Sequence, residues 1–204
     1  MKTTLRDYEA VFGNNSSVEN RVFENYEELG TLVGMCKGRG KTIVLTSGTF
    51  DLMHIGHSRY LEKAKEQGDF LIVGVDSDRK TKKRKGAHRP VVPESERLEN
   101  VCHQRYTGAV FLKNEEEERW KLIRIICPDI LVVVEGTYNE SEINKLEKIC
   151  GKVVVLPRQA PISTSEKIRK VMIEPLSELK KRLQRAVQDV YDLLDKLMGN
   201  GLSG

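Results

Sequence analysis

Apolar residues occur along this chain in two patterns. Short dense runs rich in β-branched residues cover 42–46, 70–75, 109–112, 129–134 and 152–156. They are too short for helices and read as strands buried on both faces, as in parallel sheets. Between them the apolar positions recur at helical spacing. Leu29, Leu32, Val33 and Cys36 mark one helix over 26–36, and Tyr60, Leu61 and Ala64 mark another over 57–67. Further helices are predicted from 93 to Cys102, after Asn114 with an acidic first turn at 115–118, over 140–149, and from Ser163 onward. This alternation predicts an α/β fold with a doubly wound, mainly parallel, five-stranded Rossmann-like sheet. Ligands of such sheets bind beyond the carboxyl ends of the strands.

The ends of the chain differ from this pattern. Residues 1–20 contain the turn-like Gly13-Asn14-Asn15-Ser16-Ser17, show no apolar period and read as a flexible tail. Beyond Pro175, the residues Leu176, Leu179, Leu183, Ala186, Val190, Leu193 and Leu197 repeat at steps of three and four. That is a narrow heptad seam, either a subunit contact or a helix packed on its own domain. The expected organisation is therefore a tail (1–20), one domain (21–175) and a C-terminal amphipathic helix (176–204).

Composition narrows the class. With 39% hydrophobic and 31% charged residues in 204, a sizeable core is available. The start, Met1 to Asp7, has no signal-peptide core and no run is long enough to cross a bilayer, so a soluble cytoplasmic protein is expected. Cys36, Cys102, Cys127 and Cys150 have no CxxC spacing; the plain reading of each is a buried reduced thiol, and no metal site is predicted. The net charge of +4 is modest, but Arg79 to Arg89 is densely basic. Such a run can bind nucleic acid, grip the phosphates of a small ligand, or be a solvated loop. It lacks the interleaved aromatics of a nucleic-acid platform.

Two segments carry candidate chemistry. Gly48-Thr49-Phe50-Asp51-Leu52-Met53-His54-Ile55-Gly56-His57 joins a strand to a helix start, where backbone N–H groups and the helix dipole favour an anion. Two imidazoles with a glycine between can face one pocket and donate to phosphate oxygens as charge develops. Alternatives are a metal pair, for which no further ligands stand out, or ordinary polar residues at a helix start. About 100 residues on, the stretch from Leu156 to Ile168 repeats the strand-end-to-helix theme. Arg158 offers a forked donor, and Ser163 and Thr164 offer hydroxyls; the plain alternative is a capping box. Both segments and the basic run, with Lys83 and Lys85, fall at the same predicted sheet edge. No GxxxxGK[ST] loop is present, which excludes a P-loop enzyme.

Segment 48–57 resembles the GxFDxxHxGH signature of the cytidylyltransferase-like nucleotidyltransferases, and 162–168 resembles their ISTTxxI signature, with Ser165 in place of the second Thr. The resemblance runs from about Asn25 to Ile173. Within the family, Val153-Val154-Val155-Leu156-Pro157-Arg158 is similar to glycerol-3-phosphate cytidylyltransferase. Lys83-Arg84-Lys85-Gly86 and Arg89-Pro90-Val91-Val92-Pro93 are similar to the adenylyltransferase domain of the ADP-heptose biosynthesis enzyme, and archaeal FAD synthetases share parts of both.

The resemblance implies transfer of a nucleoside monophosphate from CTP or ATP to a small phosphorylated acceptor, releasing pyrophosphate, usually with Mg2+ carried by the triphosphate. It implies His54 and His57 at the transition state, Lys83 or Lys85 at the α-phosphate, and Arg158, Ser163 and Thr164 at the β- and γ-phosphates. Arg97 matches the family's arginine on the helix after the basic run. Gly48, Thr49, Phe50, Gly56, Gly136 and Ile162 complete the implied nucleotide contacts, and a homodimer follows from the family and the seam. Thr137 stands where relatives carry an acidic residue, which leaves base and acceptor open. An FAD-synthetase-like adenylyltransferase and a catalytically silent nucleotide-binding module are the competing readings.

Overall fold

The computed structural model describes residues 8–13, 16–115, 118–160, 171 and 174–199. Six strands form one all-parallel sheet: β1 (Val22–Phe23), β2 (Ile43–Gly48), β3 (Phe70–Asp76), β4 (Ala109–Lys113), β5 (Ile130–Val134) and β6 (Lys152–Leu156), in the order β1-β4-β3-β2-β5-β6. The chain builds outward to one side from β2 through β3 to β4, then crosses to β5 and β6. The order reverses between β2 and β5, so the switch point lies where Gly48 and Val134 end their strands. The fold class is α/β and doubly wound, as expected. The sixth strand, β1, pairs with β4 through only Val22 and Phe23, too few residues to leave a periodic signature.

Alternation along the strands explains the two layers. Ile43, Leu45, Phe70, Ile72 and Leu131 point to one face, where they meet Leu29, Leu32 and Cys36 of α3 (Tyr26–Gly38) and Ile123 and Ile126 of α7 (Lys121–Ile126). Val44, Leu71, Val73 and Val132 point to the other, against Tyr60, Leu61 and Ala64 of α4 (Ile55–Lys65) and Leu98 and Val101 of α6 (Glu94–Cys102). Every residue of β3 is buried, as a central strand covered on both faces must be. Local chemistry sets the helix starts. Asn25 accepts from the amides of Glu27 (2.7 Å) and Glu28 (3.4 Å) to open α3. Asn139 accepts from Glu142 (2.9 Å), whose carboxylate returns to the Asn139 amide (3.0 Å), to open α8 (Glu140–Leu146).

Three local readings change. The basic run is not a loop: Asp78–Lys85 is helix α5. The Ser77 hydroxyl accepts from the Lys80 amide at 3.2 Å, Asp78 sits at the positive end, and the cations of the last turn suit the negative end. Gly86, at φ 97°, ends it in a backbone conformation other residues rarely adopt. The helix expected to begin at Asn114 starts instead at Lys121, after Trp120 in the left-handed region. Glu115 is drawn off by Arg79 and Lys83, each at 3.2 Å. Within the span read as a tail, α1 (Tyr8–Phe12) and α2 (Val18–Arg21) are helical, and Val11 is buried in the core because its apolar side chain meets the layer around Phe70.

The thiols also divide. Cys36, Cys102 and Cys150 are buried, and burial pushes Cys36 up to about 11 and raises the other two. Cys127 is exposed, contrary to the buried reading, because it ends α7 in the left-handed region. No described helix is long and apolar enough to cross a membrane.

The chain divides into two compact units, Met1–Pro161 and Ile162–Gly204. In the second, α9 (Glu174–Gly199) is a continuous 26-residue helix with Pro175 in its first turn, where a missing N–H costs nothing.

Candidate active site

The switch point is occupied by the turn from β2 into α4. Gly48 ends the strand, Thr49 and Phe50 are buried, and Phe50 (φ 53°) and Leu52 (φ 45°) both take left-handed backbone. Two such residues in one six-residue connection (49–54) store strain that the surrounding contacts must hold, a feature concentrated at functional sites. His54 then caps α4: its Nδ1 accepts from the Gly56 amide at 3.1 Å, and His57 Nδ1 accepts from the His54 amide at 3.2 Å. The ring centroids lie 4.1 Å apart. Because both Nδ1 atoms accept, the proton of each neutral ring sits on Nε2. The backbone thus selects the tautomer and the aim of both imidazoles.

Gly56 is required for a measurable reason. A Cβ there would stand 2.9 Å from His54 Cε1 and 2.6 Å from the Cβ of Ala160. Two residues beyond Arg158, therefore, the chain touches the glycine between the histidines. The exposed Arg158 leaves the end of β6 close to the imidazole turn. Ile162, Ser163 and Thr164 lie outside the described residues.

Beneath the turn is a charged layer. Asp51, 2% exposed, accepts from the amides of Val91 (3.1 Å) and Val92 (3.0 Å) and from Arg89 Nε (2.8 Å). Burial alone would raise its pKa; the Val92 and Val91 amides and the Arg89 guanidinium outweigh it and hold the carboxyl below its usual range. The stability this carboxylate contributes is present above about pH 4 and lost as pH falls through the lower folded-state value. Asp51→Asn is expected to cost about 1–3 kcal/mol at pH 7, and the deficit against the parent should shrink in acid. Thermal melts of both proteins from pH 3 to 7 check this; a constant deficit across the range contradicts it.

Arg84 of α5 donates to Thr49 Oγ1 at 2.8 Å and pairs with buried Asp76 at 2.7 Å, and Lys113 approaches Asp76 at 3.4 Å. Lys85 sits among these groups. Partial burial lowers its pKa, the charges of Arg84 and Arg89 lower it further, and Asp76 and Asp51 oppose the shift. A lysine held beside two guanidiniums marks a locus of positive potential suited to a polyanion. Lys83 is not brought there: its ammonium pairs with Glu115 in an exposed contact. Arg97, expected at the nucleotide, is turned inward. It is fully buried and donates to Thr49 O (2.6 Å), Asp76 O (2.8 Å), Val92 O (2.9 Å) and Asp78 Oδ1 (2.7 Å). It fastens the imidazole turn, the end of β3 and the start of α5 from below and has no face toward a ligand.

On the far side of the switch point a cavity of about 460 Å³ opens over the ends of β2, β4 and β5. Arg84, Lys113, Lys121, Trp120, Thr137 and Tyr138 are among its walls. Gly136 (φ 80°) turns the chain between β5 and Thr137. Trp120 (φ 64°) meets Tyr138 edge-on at 6.1 Å. The size suits a small metabolite and the walls suit an anionic one. Asp51, Arg84 and Trp120 do not stand out as site residues in the sequence. Asp51 lies inside the histidine motif and Arg84 inside the basic run, and the Gly136–Thr137 turn beside Tyr138 is an implied pocket position, whereas Trp120 carries no local signal. Among the described residues no three His, Cys, Asp or Glu side chains gather to hold a metal.

A doubly wound parallel sheet, with a histidine-capped helix start at its switch point and cations around it, defines a nucleotidyltransferase domain. The cytidylyltransferase-like family model matches residues 45–187, most of the chain, and the chain belongs to that family. It is 42% identical over 120 residues to a bifunctional protein HldE from a Nitratiruptor species, covering 59% of this chain and 26% of that protein. It is 38% identical over 151 residues to HldE from Salmonella paratyphi A, covering 72% and 31%. The chain thus spans about a third or less of these relatives' lengths. A crystal structure of a lipopolysaccharide core biosynthesis protein from Thermoplasma volcanium superposes with a TM-score of 0.52 at 28% identity, over 58% of this chain and 98% of that one. Pantoate-beta-alanine ligase from Francisella tularensis shares the fold, with a TM-score of 0.52 at 18% identity, over 67% of this chain and 66% of that one.

Proposed function

We propose that this chain transfers a nucleoside monophosphate, adenylate rather than cytidylate, from its triphosphate to a sugar phosphate and releases pyrophosphate. The observation that carries the reading is the pair of Nδ1-anchored imidazoles at the α4 start, with the Arg158 segment against Gly56. The choice of ATP rests on the Lys83–Gly86 and Arg89–Pro93 segments and on the HldE relatives. The likeness to a lipopolysaccharide core biosynthesis protein supports a sugar phosphate acceptor. We place the reaction in the cytoplasm, consistent with unpaired thiols.

In this reading the triphosphate lies across the start of α4. The Nε2–H groups of His54 and His57 donate to phosphate oxygens, and Arg158 takes the β- and γ-phosphates. Ser163 and Thr164 join them on the resemblance alone. The acceptor enters the cavity by Trp120 and Tyr138. Its phosphate oxygen bonds to the α-phosphorus in line as the bond to the bridging oxygen of pyrophosphate breaks. Such transfer needs positioning and charge neutralisation rather than a protein nucleophile. Lys85 and Arg84 supply positive charge between the two phosphates. Magnesium bound to the triphosphate oxygens would neutralise further charge.

Pyrophosphate release from each nucleoside triphosphate, measured with magnesium and a panel of sugar phosphates, alditol phosphates and flavin mononucleotide, tests the assignment. Release that needs ATP and one sugar phosphate supports it. Release only with CTP and an alditol phosphate, or only with flavin mononucleotide, replaces the substrate assignment. Triphosphate binding without release under any pairing favours a silent module. Within the same assay, Lys85→Ala should lower kcat/KM by about tenfold or more, while Lys83→Ala should stay within about threefold. Equal losses would refute the distinction between the two lysines.

A further inference from the structure

Within its own unit, helix α9 leaves a whole apolar stripe uncovered. Leu176 and Leu179 are each 63% exposed, Leu183 and Leu197 each 65%, Val190 57% and Leu193 58%. Val187 and Leu194 widen the stripe and are exposed as well. A lone helix gains little from its own hydrogen bonds in water, and most helical stability comes from covering such a face. A stripe with this period fits another helix of the same period.

We propose that the α9 helix of a second copy of this chain covers it, running antiparallel, with Leu183 of each copy opposite Ala186 of the other. Charge decides the direction. With Leu176, Leu183 and Val190 at the first core position of each heptad and Leu179, Ala186 and Leu193 at the second, Arg182 and Asp189 flank the seam on one side. Lys180, Val187 and Leu194 flank it on the other. In a parallel pair the two flanks meet each other. Arg182 would then face Val187 and Asp189 would face Leu194, leaving both charges against apolar groups.

In an antiparallel pair each flank meets its own kind. Setting Leu183 against Ala186 brings Arg182 of each copy beside Asp189 of the other, which makes two ion pairs by symmetry. The same register sets Leu176 against Leu193 and Leu179 against Val190, so every layer between them is apolar. The small Ala186 accommodates Leu183 at the centre, and the Lys180 stem lies along Val187. Within one chain, Arg182 meets only a loose exposed partner, Glu178 at 3.6 Å, among the described residues, so it is available for the new pair.

Sedimentation equilibrium of the full chain tests this. A concentration-dependent dimer is expected. R182E and D189R should each weaken it by about tenfold, because each replaces two attractions with two repulsions. The double variant R182E/D189R should return to within about threefold of the parent. These positions are exposed on α9, so the singles should keep their helix content by circular dichroism. A monomer at every concentration overturns the proposal. A dimer indifferent to the single swaps, or one the double variant fails to restore, overturns the antiparallel register.

Discussion

His57→Ala is expected to lower kcat by about 10²–10³-fold while nucleotide affinity changes far less. The removed group is a pre-aimed donor at the place where charge develops, and losses of that size follow from deleting one such donor. The same ring also caps a helix, since His57 Nδ1 accepts from the His54 amide at 3.2 Å. Rate loss through a disturbed helix start must be separated from rate loss through chemistry. His57→Asn makes the separation: its side-chain oxygen can replace Nδ1 as acceptor, while its amide N–H groups end short of the Nε2 position. The account expects the Asn variant to melt within about 1 kcal/mol of the parent and yet to turn over as slowly as the Ala variant. Near-parental turnover by His57→Asn would reduce His57 to a helix cap.

Arg97→Met carries the largest expected effect on stability. The substitution keeps the apolar stem but strips the Thr49, Asp76 and Val92 carbonyls of their donor and leaves Asp78 without its 2.7 Å partner. An orphaned buried acceptor costs about 1–3 kcal/mol, so losing the donor to these carbonyls costs about 3–5 kcal/mol in all, while Asp78, 29% exposed, is partly solvated and adds less. For a chain of this size that lowers Tm by about 10 °C. Arg97→Lys should recover only part, because one ammonium cannot reach carbonyls on the imidazole turn, the end of β3 and the loop before α6 together. A melt within about 2 °C of the parent for Arg97→Met would remove the proposed fastening. Turnover should fall too, since the Thr49–Asp51 turn aims the histidines; added nucleotide would not restore the lost thermal stability fully.

What the sequence revealed and what it hid have separate physical causes. Long β-branched runs and helix-spaced leucines carry their environment in their own period, so β2 to β6, α3 and α4 were legible. Val22–Phe23 was not, because two residues have no period. The basic run looks like a loop in the sequence because its side chains show no apolar face; its helix depends on the Ser77 cap and the charge–dipole match at both ends. The histidine turn was legible because the motif is local, with cap, glycine and imidazoles within four residues. The difference between Lys83 and Lys85, and the turning inward of Arg97, depend on carboxylates and carbonyls brought in from β3, Asp78 and Glu115. No single window of sequence contains those partners. The place of Trp120 opposite Tyr138 is hidden for the same reason.

The central claim is that one triphosphate lies between the histidine turn and the Arg158 segment. A crystal structure of the full chain with magnesium and a triphosphate whose α–β bridge cannot be cleaved tests it most directly. The account predicts phosphate oxygens within hydrogen-bond distance of His54 and His57 Nε2 and of the Arg158 guanidinium, with the Trp120–Tyr138 cavity left open for the acceptor. A nucleotide seated away from the α4 start, with Arg158 turned from its phosphates, would contradict it.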